Sequence, residues 1–292
     1  MSLEALQRKI KTTSELREIV NTMKTLSSAS ILQYEQANIS LKSYRRNLRD
    51  AFHALVQQKG LPPIAKIRGE EKHLHIIIGS DNGMVGKFNR ELMQAVSKDM
   101  QKQKIPSQQA FFLCVGKRIT MLAEQQKLPI LAQYAIANSI KTVNILAENL
   151  ILRLDNIMAL QKISHVNVWF HKRSKNGSVK IEKRQMIPFN NSGLEELKKK
   201  PWETNNLPML PHDTHRLFSA LVRESLIITI TGAINYSLAA EHFTRMTNMQ
   251  NAEKNIDENL AILDQKYQQK RQEQITDELI DIISGAEAIK KK

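Results

Sequence analysis

Apolar residues recur at three- and four-residue intervals at both ends of the chain, while its middle carries short apolar runs separated by turn residues. The first pattern predicts helices with one buried stripe, the second a mixed α/β fold. In the N-terminal part, Tyr34, Ala37, Leu41, Tyr44, Leu48, Ala51 and Leu55 follow a 3-4-3-4-3-4 spacing, the seam of a coiled coil. The register runs back through Met23, Val20 and Leu16 to Leu6, with an interruption at Ser27 and Ser30. Small polar residues there allow close approach but bury little apolar area. The C-terminal stripe passes through Leu217, Leu221, Ile228, Ala239, Phe243, Met246, Met249, Ala252, Ile256, Leu260, Leu263 and Tyr267, then resumes at Ile275, Leu279, Ile282 and Ala286. Between the two runs, residues 268–274 (QQKRQEQ) hold no apolar residue. They read either as a solvated stretch with a heptad skip or as a polar surface presented to something outside the coiled coil.

Proline and glycine punctuation agrees with two long helices. All eight prolines lie between Pro62 and Pro211, the first 59 residues hold no glycine, and the final tract holds only Gly232 and Gly285, the latter where a helix is expected to end. A proline inside either helix would cost about 3 kcal/mol. At 1.5 Å per residue, helices over 3–58 and 213–286 would span roughly 80 and 110 Å, too long to be buried whole in one domain of this size. They are expected to pair, with the C-terminal one overhanging. The organisation expected is an N-terminal helix over 1–61, a central α/β domain over 62–211 and a C-terminal helix over 212–292, the first and last forming one discontinuous unit.

In the middle, KHLHIIIG (72–79) and AFFLCV (110–115) read as buried strands, and 89–101, 117–126 and 139–156 as helices. Residues 164–173 and 179–189 flank Ser174-Lys175-Asn176-Gly177, whose Asn-Gly pair signals a hairpin. The fold class predicted is α/β: a long antiparallel coiled coil of the terminal helices plus a small, Rossmann-like, three-layered central domain.

Charge and composition narrow the function. The formal net charge is +14, but residues 1–58 carry 9 Lys/Arg against 5 Asp/Glu, residues 212–292 carry 10 against 12, and the middle holds the excess. No zinc-finger spacing, RNA-binding aromatic motif or helix-turn-helix cadence accompanies that excess, so nucleic acid is not the expected partner. No apolar run reaches eighteen residues, and the start lacks the features of a secretory or transit leader, which suggests a bacterial-type cytoplasmic product. The single cysteine, Cys114, lies in an apolar strand and is expected in the core.

Candidate chemistry is sparse. The loop SDNGMVGKF (80–88) fails the phosphate-loop pattern, because Asp81 occupies the first glycine position and Phe88 the hydroxyl position; a structural strand-to-helix turn is expected instead. The pairs His73/His75 and His212/His215 lack a convincing third metal ligand and are assigned surface or capping roles. No nucleophile, base and orienting acid assemble at motif spacing. No catalytic residue, cofactor site or metal site is therefore expected.

Two long segments carry a resemblance. E-H-F-T-R-M-T-N-M-Q-N-A (241–252) and R-Q-E-Q-I-T-D-E-L-I-D-I-I-S-G-A (271–286) resemble the E-x-x-x-R-M-x-x-M-x-x-A and I-T-x-E-[LI]-x-[DE]-I-[IV]-x-G-A patterns of the gamma subunits of F-type ATP synthases. Ile10-Lys11, Ile19–Lys24 (IVNTMK) and Ser80–Asn89 (SDNGMVGKFN) are similar to that family's other motifs, in the same order. The resemblance implies a non-catalytic rotor shaft, one copy per complex. Its helices would turn inside a ring of alpha and beta subunits, and its body would meet an epsilon-type subunit and the membrane-embedded c-ring. Such a subunit is peripheral to the membrane, here the bacterial inner membrane on its cytoplasmic side, and couples ion flow to ATP synthesis or hydrolysis on its partners.

By motif position, the resemblance assigns beta-subunit contacts to Arg271, Gln272, Thr276 and Glu278 and, near the beta-subunit lever, to Met23, Lys24 and Arg245. It suggests Trp202 and Glu203 as c-ring or foot residues. It also favours the partner-facing reading of residues 268–274. The chain departs from the pattern at Asn82, at Val85 and in TLSSASI (25–31), as a diverged branch would. The competing reading is a coiled-coil scaffold or nucleic-acid adaptor with a basic body.

Overall fold

The computed structural model describes residues 2–60, 71–174, 176–189, 192–202, 204, 206 and 208–290, with residues 192 and 285–290 described by backbone alone. Two helices dominate: α1 (Leu3–Lys59) and α6 (Thr214–Lys290). The chain divides into two compact units, one of Met1–Ser28 with Arg245–Lys292, the other of Ala29–Thr244, and both long helices contribute to each.

The Ala29–Thr244 unit is built on a five-stranded sheet: β1 (His73–Ile78), β2 (Ala110–Val115), β3 (Ile130–Tyr134), β4 (His165–Arg173) and β5 (Val179–Ile187), in spatial order β3-β2-β1-β4-β5. The first four are parallel, and β5 returns antiparallel on β4 through the expected hairpin, where Gly177 takes a φ of 82°. Helices α2 (Phe88–Lys102), α3 (Lys117–Gln125) and α4 (Ile140–Gln161) make the crossovers. A short α5 (Ser192–Lys199) precedes α6. Strand β3 and helix α5 are additions to the sequence-based expectation. At five and eight residues they are too short to show a period, and β3 is an edge strand with half-buried residues.

Strand alternation separates two cores. Leu74, Ile76 and Ile78 of β1 join Leu113, Val115, Val166, Val168 and Phe170 on one face, against α4 and α6. On the other face Ile77, Phe112, Cys114 and Trp169 pack with Leu92, Met93, Val96 and Ile119 of α2 and α3. This is the three-layered arrangement expected, and Cys114 is fully buried. Helix starts follow the local chemistry: Ser139 and Thr142 form a capping box on α4, and Asp213 Oδ1 accepts the Arg216 amide at 2.9 Å on α6.

The middle of α6 is itself core. Ile230, Ala233, Ile234, Leu238 and Ala239 lie in the β1-β4 cluster, and the Ser237 hydroxyl donates to the Ile78 carbonyl at 3.0 Å. α6 contains an 18-residue window of mean hydropathy 1.6, enough by length and composition alone to cross a membrane. Within α6, Ile230 to Ala239 supply apolar side chains to the sheet's core.

The seam of α1 differs from the predicted one. In the Ala29–Thr244 unit, Ile31, Tyr34, Asn38 and Phe52 are buried and Leu41, Arg45 and Leu48 half-buried, whereas Tyr44 is 47% exposed. Tyr34, Leu41, Leu48 and Leu55 belong to both seams, but the alternate line runs through Asn38, Arg45 and Phe52 rather than Ala37, Tyr44 and Ala51. Counting apolar residues missed it because half of its knobs are polar; Arg45 packs its aliphatic stem while its Nη2 donates to the Ile228 carbonyl at 3.4 Å. Ser27, expected as an interruption, is 3% exposed and falls on the seam. At the other end, Gly285 does not stop α6, which continues to Lys290.

Candidate functional site

The Met1–Ser28 and Arg245–Lys292 unit is an antiparallel helix pair. Arg17 Nε meets Asp257 Oδ1 at 2.7 Å and Lys24 Nζ meets Glu253 Oε2 at 2.6 Å. Met249 and Leu263 are buried between the helices, with Ala252, Ile256, Leu260 and Tyr267 half-buried. With Arg17 opposite Asp257, the part of α1 that precedes Arg17 reaches only to about residue 271 of α6 at equal rise per residue. Every residue from Gln268 to Ser284 is exposed.

The expected contact residues sit on this unpaired stretch. At about 100° per residue, Arg271 and Glu278 lie roughly 20° apart around α6, and Gln272 and Thr276 roughly 40° apart. Between those pairs run Ile275, Leu279 and Ile282, 49%, 54% and 67% exposed. The result is an apolar stripe flanked by a charged and a polar edge, with no partner inside the described residues. Local bonds hold the polar side chains: Thr276 Oγ1 donates to the Gln272 carbonyl at 2.9 Å, Gln274 Nε2 to Glu278 Oε1 at 3.2 Å, and Lys270 pairs with Glu273 at 2.9 Å. That last bond raises the Lys270 pKa and lowers that of Glu273.

The other expected contacts have different surroundings. Met23 is half-buried, and Lys24 is held by Glu253 with about a quarter of each side chain exposed. Arg245 is 7% exposed, so in this chain it is a buried residue. Trp202 belongs to the other unit; its Nε1 donates to Thr204 Oγ1 at 3.0 Å and to the Asn206 carbonyl at 3.1 Å, and its ring tilts over His53 at 5.1 Å. Glu203 lies outside the described residues. Sequence reasoning missed Arg17, Asp257 and Glu253. Positions 17, 24, 31, 38, 45 and 52 form one heptad line, and recognising its polar members would have pointed to the acidic partners.

The loop at residues 80–88 is a structural clamp. The Asp81 carboxylate accepts the Lys117 amide at 2.7 Å and the Ile136 amide at 3.2 Å, so it caps α3 and ties it to the segment after β3. In open parallel sheets the ends of the strands at a reversal of strand order commonly form a ligand crevice. Here Phe88 stacks on His171 with ring centroids 3.7 Å apart, and Val85 and Ala240 close around them.

The histidines correct the surface assignment for one pair. His212 and His215 are exposed, but His73 and His75 are 8% and 0% exposed. His73 stacks on His165 at 4.6 Å, and His75 Nδ1 accepts from Trp169 Nε1 at 3.2 Å. Burial, followed by the neighbouring His73, lowers the His75 pKa to about 4, and burial lowers that of His171 to about 3. Both imidazoles are therefore neutral at pH 7.

Comparison with known proteins bears on the exposed end of α6. A family model described as ATP synthase matches residues 2–289. The ATP synthase gamma chain of Geobacter metallireducens is 26% identical over 298 residues, covering 99% of each chain, and that of Staphylococcus epidermidis is 22% identical with the same coverage. Among solved structures, the rotor of the Euglena gracilis mitochondrial ATP synthase superposes with a TM-score of 0.62 at 14% identity, covering 94% of this chain and 98% of that one. The central stalk and c-ring structure of the Tetrahymena thermophila enzyme gives a TM-score of 0.55 at 14% identity, with 80% and 99% covered.

Proposed function

The chain belongs to the ATP synthase family, and we propose that it is the gamma, central-stalk subunit of a membrane-bound F-type ATP synthase. Its partners in this reading are the alpha and beta subunits of the catalytic ring, an epsilon-type subunit and the c-ring. One copy serves each complex, peripheral to the bacterial plasma membrane on its cytoplasmic side. The chain is non-catalytic: ATP is made or hydrolysed on its partners. The terminal segments 1–61 and 212–292 act as the shaft, and 62–211 as the body.

The observation that carries this reading is the unpaired end of α6, with Arg271 and Glu278 on one edge, Gln272 and Thr276 on the other and bare isoleucine and leucine between. A helix left without its partner there offers a different face to each surrounding subunit as it turns. Differential contacts of this kind shift populations among catalytic-site conformations, which is all a shaft must do to order their changes. Met23, Lys24 and Arg245 contribute in this reading where the helices are paired. Arg245, being interior, acts chiefly through the shape and charge it gives that surface. Trp202 and Glu203 are the foot candidates towards the c-ring.

The test is purification of the tagged chain from its native membrane, followed by identification of bound subunits. Recovery of alpha, beta, epsilon-type and c subunits is expected, with no nucleotide hydrolysis by the chain alone. R271A combined with Q272A should lower ATP synthesis several-fold in assembled complexes. Normal coupling in that variant would remove the contact assignment while leaving the subunit assignment standing.

A further inference from the structure

Within the Ala29–Thr244 unit the two long helices are attached to the sheet very unequally. Five residues of α6 between Ile230 and Ala239 belong to the main core, and Ser237 bonds to the backbone of β1. From α1, only Tyr34 joins that cluster, stacked on His242 of α6 at 5.8 Å. The next apolar cluster on α1, where Phe52 and Val56 meet Leu194 and Leu197 with half-buried Leu48 packed against them, begins 14 residues on, roughly 21 Å along the helix. Across that interval the seam passes Asn38, half-buried Leu41 and Arg45, and its two polar members supply little apolar area to fix one helix against the other.

Arg173, the last residue of β4, bridges this gap. Its Nη1 donates to Glu35 Oε1 of α1 at 2.8 Å, and the guanidinium plane lies 4.5 Å from the centre of the Phe243 ring of α6. One side chain thus touches the sheet's own strand and both helices. The planar guanidinium suits this double role, since its edge meets a carboxylate while its face stacks on a ring; an ammonium has no such plane.

We propose that Arg173 is a positioning residue that holds α1 in phase with α6 where both helices pass the sheet, so that turning of the body reaches both strands of the shaft together. This rests on the rotor reading above. The side chains of Arg173 and Glu35 are 33% and 43% exposed, so the pair contributes little to equilibrium stability. Its role is to select one azimuth of α1 along a stretch where a polar seam selects weakly. Loss of Arg173 should therefore leave folding and assembly nearly intact and impair transmission.

The experiment uses the assembled complex in inverted membrane vesicles, comparing ATP hydrolysis with ATP-driven membrane potential read by a voltage-sensitive dye. For R173A we expect normal subunit content and hydrolysis within two-fold of the unaltered complex, but at least a three-fold fall in potential generated per ATP hydrolysed. R173K should recover part of the loss, and the exchange R173E with E35R should recover more than either of its single changes. Should R173A not assemble, E35Q, which removes only the ion pair at a partly exposed carboxylate, carries the same comparison. An unchanged ratio in whichever of R173A or E35Q assembles would overturn the assignment of Arg173 while leaving the rotor reading intact. If the unaltered chain recovers no catalytic-ring or c subunits, the rotor reading itself fails.

Discussion

Asn89 holds Ser80 through two buried hydrogen bonds: its Oδ1 accepts the Ser80 amide at 2.9 Å and its Nδ2 donates to the Ser80 hydroxyl at 2.8 Å. Neither residue is more than 8% exposed. The preceding Gly79 makes room for the clamp, since a Cβ there would lie 2.5 Å from both Asn89 Oδ1 and Ile119 Cβ. N89A leaves the buried Ser80 amide without a partner, while the hydroxyl keeps its bond to the Asn82 carbonyl at 3.1 Å, and should cost about 1–3 kcal/mol. G79A should cost at least as much, because the Cβ of a packed helix cannot swing aside. Thermal unfolding of the purified variants measures both, and a Tm within a degree of the unaltered chain for either would contradict the clamp.

Acid stability follows from the buried histidines. His75 accepts a hydrogen bond on Nδ1, and both ring nitrogens of His171 are buried without a hydrogen-bond partner, so neither ring has a ready place for a second proton. Their folded-state values, about 4 and about 3, lie below the unfolded value near 6.5. The unfolded chain therefore binds protons first as pH falls. Stability is complete above about 6.5 and declines down to about 4 for His75 and about 3 for His171, with His75 alone accounting for roughly 3 kcal/mol. H171L should flatten this dependence between pH 7 and 5, as measured by Tm against pH; a profile parallel to that of the unaltered chain would refute the assignment.

Cys114 gives a simpler prediction. Burial raises its thiol pKa to about 12, so thiolate is scarce at pH 8 and the sulfur is shielded. Alkylation by iodoacetamide should be at least a hundred-fold slower in the native chain than in denaturant. A fast native reaction would mean that the β2 core opens readily.

The parts of this fold that were legible in the sequence are those whose period survives over many residues or whose turn chemistry is strict. Both long helices and the Asn176-Gly177 hairpin are of this kind, and the buried strands β1 and β2 show as short apolar runs bounded by turn residues. Strand β3 was not, because five residues, four of them half-buried, carry no decisive alternation. The seam of α1 was half legible: Leu41 and Leu48 announce themselves, while Asn38 and Arg45 are polar residues whose inward direction only packing against α6 reveals. For the candidate site, the gap in apolar residues at 268–274 could be read directly, but its identification as a partner surface came from motif resemblance. Arg173 left no trace, because a basic residue at the end of a basic hairpin looks like solvated charge until Glu35 and Phe243 arrive from distant parts of the chain.

The two ion pairs of the helical pair should differ in worth. Lys24 and Glu253 retain about a quarter of their side-chain exposure, whereas Arg17 and Asp257 retain about half. Solvent screening leaves the outer pair close to zero and the inner one at up to about 1 kcal/mol. Double-mutant cycles using K24A with E253A and R17A with D257A, followed by thermal melts in low and high salt, separate them. A coupling energy larger for the outer pair would reverse this ranking.

Asn38 offers the strongest test of the polar seam. It is 5% exposed, and both polar atoms of its amide lack hydrogen-bond partners, so its burial is unfavourable in energy. Polar residues at such positions are tolerated in coiled coils because they penalise alternative registers more than the native one. Gly232 of α6 lies beside it, where an added Cβ would press on Arg45 Nη2, so the native register also brings a glycine opposite the largest polar residue of the seam. N38I should therefore raise Tm by several degrees, corresponding to about 1–2 kcal/mol. At the same time it should loosen register: cysteines placed at 44 and 224, where Tyr44 now donates to Glu224 at 2.9 Å, should cross-link less completely in N38I, with shifted pairs gaining. Destabilisation by N38I, or a cross-linking pattern that does not change, would show that Asn38 is held by interactions other than those of a register-setting seam.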